Sequence, residues 1–140
     1  MNIIDIIKMN FEESRKVNSL SDEQILESIE SATLKILKML DSSGKLLTCG
    51  NGGSSGDAQH ITSEFVNRFE TERKSLPAVS LNSDTATLTS IANDYGYKYV
   101  FSKQINAISD ANDILMAFTT SGNSENILEA ITAAKTKDLS

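Results

Sequence analysis

His60 and Glu64 stand four residues apart in the segment DAQHITSEF, a spacing that puts both on one face of a helix. An imidazole and a carboxylate so placed form half of a metal site, and the carboxylate can also act as a general base. Such pairs are common on ordinary helix surfaces too. His60 is the only histidine, so a metal site within this chain lacks good further ligands. Just upstream, CGNGGSSGDAQH follows the apolar run KLLTC. Glycines there let the backbone turn tightly, and the next helix begins with free N–H groups that can face an anion. Ser54 and Ser55 add hydroxyl donors.

The loop fits neither of the two common phosphate motifs. A Walker loop needs Gly-Lys at its end, and the only such pair, Gly44-Lys45, precedes the strand. The dinucleotide fingerprint would place a third glycine where Ser55 stands, and no acidic residue closes PAVSLN to hold a ribose. A second loop of the same build, FTTSGNSEN, sets Thr119, Thr120, Ser121 and Ser124 around Gly122. Four hydroxyls and a helix N-terminus suit a phosphomonoester without a lysine. Either loop alone could be simple helix capping; two at one sheet edge point to a shared anion.

The elements that must position these loops follow from periodicity. Ile3, Ile4, Ile7 and Phe11 predict a helix over 2–18. Ser21 and Gln24 form a capping-box pattern for a second helix, with Ile25, Ile29, Ala32, Ile36 and Leu40 on its stripe and Gly44 as its C-cap. KLLTC, LPAVSLN and DILMAFTT read as strands. Between and after them, helices are expected over 54–69 with Ala58, Ile61, Phe65 and Phe69 inward, over SDTATLTSIAND capped by Ser83 or Asn82, and over YKYVFSKQINAIS. A last helix follows SGNSEN with Ile127, Ile131 and Ala134 inward. Strands alternating with helices imply an α/β fold: a parallel sheet with helices on both faces. Three strands make a narrow sheet, so either another subunit completes it or the chain is a fragment of something longer.

Composition narrows the class. At 140 residues one domain is expected, and 39% hydrophobic residues suffice for a core. A net charge of −6 with no dense Lys/Arg cluster argues against nucleic acid and anionic membranes. No apolar run reaches the roughly 20 residues of a membrane span, and MNIIDIIKMNFEESRK lacks the basic start of a signal peptide, so the expected compartment is the cytoplasm. The single cysteine, Cys49, excludes an internal disulfide and reads as a small buried residue at a strand end.

Taken together in order, CGNGGSSGDAQHITSEF, LNSDTATLTSIANDYGYKYVFSKQ and FTTSGNSENILEA resemble the bacterial phosphoheptose isomerases (sedoheptulose-7-phosphate isomerases) of the sugar-isomerase (SIS) family. The resemblance covers nearly the whole chain. It implies a single SIS domain over 1–140, a three-layer αβα flavodoxin-like core at 44–140 preceded by helices at 1–43. The implied reaction converts sedoheptulose 7-phosphate to D-glycero-D-manno-heptose 7-phosphate through an enediol, a step towards the heptose of lipopolysaccharide or capsule. By position, Asn51, Gly52, Gly53, Ser54, Asn93 and Asp94 would contact substrate, with Arg68 a further contact, and Thr119, Thr120, Ser121 and Ser124 would hold the phosphate. His60 and Glu64 would ligate one zinc per subunit, and Glu64 would move the proton between the first two carbons. Family members are homotetramers with active sites at subunit interfaces. The family also continues for about fifty residues past the position of Ser140, with a glutamine and a histidine that complete the zinc tetrahedron; a truncated chain is therefore expected. A related non-catalytic adaptor binds the replication initiator DnaA, and NRFETERKSLPAVSLNSD resembles it as well. That adaptor's pattern lacks the glutamate of the His-x-x-x-Glu pair and has a bulky basic residue in place of Ser121, whereas this chain keeps both isomerase-like residues.

Overall fold

The computed structural model describes residues 2–140, those at 21–24 by their backbone alone. The chain forms two compact units, Met1–Lys35 and Ile36–Ser140. One helix, α1 (Ile3–Asp41), replaces the two expected at the N-terminus. No glycine or proline lies between Lys16 and Leu26, and polar residues such as Asn18 and Ser19 cost an ongoing helix only about 0.5 kcal/mol each. The capping box read at Ser21 and Gln24 rests on side chains outside the described residues. In the first unit Ile3, Ile4, Ile7, Phe11, Ile25 and Ile29 are exposed.

The second unit is a three-layer α/β structure. Its elements are β1 (Leu46–Gly50), α2 (Gly53–Val66), β2 (Ala78–Ser80), α3 (Thr85–Tyr95), a 3₁₀ turn at Tyr97–Tyr99, α4 (Ser102–Ile108), β3 (Ile114–Phe118) and α5 (Glu125–Thr136). The strands are parallel in the order β2-β1-β3, with Leu46 opposite Ala78 and Ile114. Strand β1 is buried along its length, and its residues alternate between two cores as the strand period requires. Leu46 and Ile114 pack with Met39, Ile36 and Leu40 from α1 and Ile61 and Phe65 from α2. Leu47 and Cys49 pack on the opposite face with Phe101, Ile105, Ile127 and Ala130. Thr48 is buried; its Oγ1 bonds the carbonyl of Ala58 at 2.9 Å and the Thr62 hydroxyl at 2.8 Å, fastening α2 to the sheet.

Several expectations shift by a residue or a turn. Helix α2 stops at Val66, and Phe69 is exposed rather than in the core. The Arg73 guanidinium donates to the carbonyls of Glu64, Phe65 and Asn67, satisfying orphan acceptors that a longer helix would have used. Helix α3 is capped by Asp84, which accepts from the N–H of Ala86 and Thr87, and not by Ser83 or Asn82. The expected helix after Gly96 is divided into the 3₁₀ turn and α4. On α5 the inward face is Ile127, Ala130, Ala133 and Ala134, with Ile131 left half-exposed, because three alanines let that face lie close to the sheet. Among the described residues no helix is long and apolar enough to cross a membrane.

The left-handed residue after α1 is Ser43, with φ of 59°, not Gly44. Gly44 is needed for a different reason: a Cβ there would lie 2.2 Å from the Asn112 carbonyl oxygen. Nearby, Lys45 Nζ meets Asp113 Oδ2 at 2.6 Å, and Asp113 also accepts from the N–H of Lys45 and Asp110. Burial alone would raise the Asp113 carboxyl, but the Lys45 ammonium and these N–H donors outweigh it and hold it below its ordinary value. A depressed carboxyl stabilises the fold above its unfolded pKa near about 4 and ceases to do so as pH falls through the folded value.

These two features give opposed expectations for neighbouring residues and a pH signature. Ser43→Gly should raise stability by about 0.5–1 kcal/mol by relieving the left-handed strain. Gly44→Ala should lower it by about 1–3 kcal/mol through the clash. Asp113→Asn should cost about 2 kcal/mol at neutral pH, with the gap to the parent closing below about pH 4. Urea titrations at two pH values measure all three.

Candidate functional site

Parallel strands bring their carboxyl ends to one edge, and three loops gather there. The first, at Asn51 and Gly52, leads from β1 into α2. A Cβ on Gly50 would sit 2.3 Å from the Ser54 carbonyl oxygen, so only glycine lets the helix start fold back against the strand. The Gly50 backbone is met by Asn82 from the second loop: Gly50 N donates to Asn82 Oδ1 at 3.0 Å, and Asn82 Nδ2 donates to Gly50 O at 2.9 Å. A side-chain amide here completes the ladder where β2 ends. That is why Asn82 is not the cap of α3. Ser55 Oγ donates to the Gly52 carbonyl at 2.7 Å, closing the turn.

The third loop runs from β3 into α5. Thr119 Oγ1 accepts from Gly122 N at 3.1 Å, and Ser121 Oγ accepts from Asn123 N at 3.2 Å. The Ser121 and Ser124 hydroxyls lie 3.4 Å apart, with Ser124 at the N-cap of α5. Hydroxyls and backbone N–H groups thus converge at a helix N-terminus, where the dipole favours a negative ligand. All four hydroxyl residues lie in the six-residue loop between β3 and α5, and Thr119, Thr120 and Ser121 are exposed.

The first and third loops are joined directly. Asn51 Nδ2 donates to Asn126 Oδ1 and Asn126 Nδ2 donates to Asn51 Oδ1, both at 2.8 Å. Tyr97 adds a third bond, its hydroxyl donating to Asn51 Oδ1 at 3.3 Å. Asn126 is buried in the first turn of α5. Neither Tyr97 nor Asn126 was singled out by sequence reasoning, and Asn82 was read only as a helix cap. The legible signal was Asn126 itself: a polar residue in phase with Ala130, Ala133 and Ala134 on an inward helix face needs a buried partner.

His60 and Glu64 lie on α2, with Nε2 and Oε1 3.3 Å apart. The His60 side chain is 73% exposed and that of Glu64 30%, so the pair is reachable from solvent. Ten residues of helix separate Ser54 from Glu64, about 15 Å at the helix rise. This chain therefore does not place Glu64 beside its own first loop. Among the described residues no cluster of three or more His, Cys, Asp or Glu side chains can hold a metal. An imidazole and a carboxylate are two of the donor types that a tetrahedral metal site uses four of.

Arg68 lies beyond the end of α2 and pairs with Glu72 at 3.2 Å. Asn93 and Asp94 sit in the last turn of α3, and Asn93 Nδ2 donates to Asp94 Oδ1 at 2.9 Å. They stand three to four residues before Tyr97, whose hydroxyl reaches Asn51. Cys49 is fully buried, and desolvation pushes its thiol up to about 12, so it is not a nucleophile.

Known proteins match this arrangement. The SIS domain family matches residues 11–140. The phosphoheptose isomerase of Alteromonas mediterranea is 48% identical over 137 residues, which cover 98% of this chain and 69% of that protein. The Coxiella burnetii phosphoheptose isomerase is 52% identical over 134 residues, covering 96% of this chain and 67% of its own. The chain thus spans about two thirds of the length of these relatives. Among solved structures, a phosphoheptose isomerase from Francisella tularensis superposes with a TM-score of 0.96 at 40% identity, covering 99% of this chain and 73% of that one. That from Neisseria gonorrhoeae gives 0.92 at 39% identity, covering 99% and 72%. With half its residues identical to theirs and its fold shared, the chain belongs to the phosphoheptose isomerase family of SIS-domain proteins.

Proposed function

We propose that this chain isomerises a heptose phosphate, sedoheptulose 7-phosphate to D-glycero-D-manno-heptose 7-phosphate, supplying heptose for lipopolysaccharide or capsule. The observation that carries the reading is the pair of hydroxyl-lined helix starts at one sheet edge, tied together by Asn51 and Asn126, in a chain about half identical to phosphoheptose isomerases. Thr119, Thr120, Ser121 and Ser124 hold the phosphate against the N-terminus of α5. The fixed phosphate supplies binding energy and sets the pose of the far end of the sugar. Asn51, Gly52, Gly53 and Ser54 contact the sugar chain, with Asn93, Asp94 and Arg68 as further contacts.

At the reacting end, Glu64 removes a proton from C1 of the ketose. The C1–H electron pair becomes the C1–C2 double bond of an enediol, and the C2 carbonyl oxygen takes up a proton. Return of the Glu64 proton to C2, with loss of the O1 proton, gives the aldose. Glu64 lies about 15 Å along α2 from Ser54, a separation in keeping with a base that acts at the end of the sugar remote from the phosphate, and the proposed homotetramer would complete the site from a neighbouring copy. His60 and Glu64 would hold zinc together with donors from outside the described residues, and a bound zinc would polarise the sugar oxygens.

Sedoheptulose 7-phosphate at millimolar concentration should raise the melting temperature, and Ser121→Arg should remove that rise by filling the phosphate site. The absence of a shift in the parent would sink the reading, and capture of DnaA in its place would favour the adaptor. Glu64→Gln should lower kcat by about a thousandfold, the scale of a lost general base, with unchanged melting temperature. For the metal, His60→Ala should lower zinc content measured by elemental analysis; equal content in parent and variant would remove His60 as a ligand.

A further inference from the structure

Asn51 is assigned a substrate contact above, yet most of its hydrogen-bonding capacity is already engaged. A side-chain amide has two N–H donors and two acceptor lone pairs on its oxygen. On Asn51, Oδ1 accepts from Asn126 Nδ2 at 2.8 Å and from the Tyr97 hydroxyl at 3.3 Å, filling both lone pairs. One N–H goes to Asn126 Oδ1 at 2.8 Å. What is left to a ligand is a single N–H. Asn126 is 3% exposed, so its own amide is fixed in place by burial, whereas the Tyr97 side chain is largely open at the edge of the site.

We propose that Asn126 and Tyr97 are positioning residues that hold the Asn51 amide in one orientation, so that it meets the substrate only as a hydrogen-bond donor. The inference rests on the isomerase reading and deepens it: the oxygen of Asn51 is withheld and its remaining N–H selects an oxygen acceptor on the sugar phosphate. Free rotation of the amide would offer donor or acceptor equally and lose that selection. The same bonds join the turn before α2 to the first turn of α5, so the donor is held at a set distance from the phosphate hydroxyls.

Two substitutions separate this role from simple stabilisation. In Asn126→Leu, an apolar side chain of similar size neither accepts from Asn51 nor donates to its oxygen, so the amide loses the partner that fixes it. In Tyr97→Phe, only the hydroxyl is removed from an exposed ring, so folding is preserved even if the first variant fails to fold. Binding of sedoheptulose 7-phosphate to the full chain is measured by calorimetry, with melting temperature recorded beside it. Expected are an affinity lowered about tenfold in Asn126→Leu and about threefold in Tyr97→Phe, the loss of two neutral hydrogen bonds and of one respectively. Catalytic assays should show the effect in KM more than in kcat. If the parent binds the sugar phosphate and Tyr97→Phe binds as tightly, with only melting temperatures changed, the positioning role is overturned and the isomerase reading stands. If the parent binds no sugar phosphate, the isomerase reading falls and takes this role with it.

Discussion

The carboxyl edge of the sheet depends on the parallel register of β1 against β3, from Leu46 opposite Ile114 to Gly50 opposite Phe118. Because the two strands are in step and end together, their loops emerge side by side. Each loop feeds a helix whose N-terminus then points at the same space. A slip of one residue would turn Leu47 and Cys49 towards the wrong core and separate the loops. Burial of β1 on both faces makes such a slip costly, so hydrophobic packing, not the loops themselves, sets the geometry of the site.

For an acidic chain, the phosphate site proposed above would rest on local dipoles. Helix starts, glycine-turned backbone and serine or threonine hydroxyls supply partial positive charge without any lysine in the loops. Side-chain amides then do the work that longer strands would otherwise do. Asn82 satisfies both backbone groups of Gly50, and Asn126 joins the first loop to α5. The site is a set of short loops braced by three buried or half-buried asparagines.

Much of this was legible from residue types and spacing. The alternation of strand and helix, the two loops that turn from a strand into a helix and the i,i+4 pairing of His60 with Glu64 all follow from local patterns, and local patterns survive folding. What was missed depends on partners distant in sequence. The end of α2 is set by Arg73, and no pattern within the helix could say that a guanidinium would reach its last carbonyls. The role of Gly44 came from Asn112, 68 residues away, so it looked like a cap when it was a point of close approach. The single long α1 was missed for the opposite reason: a good capping signal does not break a helix unless the backbone has cause to turn there. Asn126 lay in view as a polar residue on an apolar period, but its partner Asn51 could not be named without the fold.

The ion pair of Lys45 and Asp113 sits at the amino ends of β1 and β3, and the loops leading into α2 and α5 at the other. Five residues of extended strand put about 16 Å between them. The backbone groups that Asp113 holds, the N–H of Lys45 and of Asp110, both lie at the amino edge. Protons that load onto Asp113 therefore loosen contacts there and break no hydrogen bond of the opposite loops. Substitutions at the amino edge can likewise drift under selection for stability alone, leaving the opposite edge to be selected for chemistry.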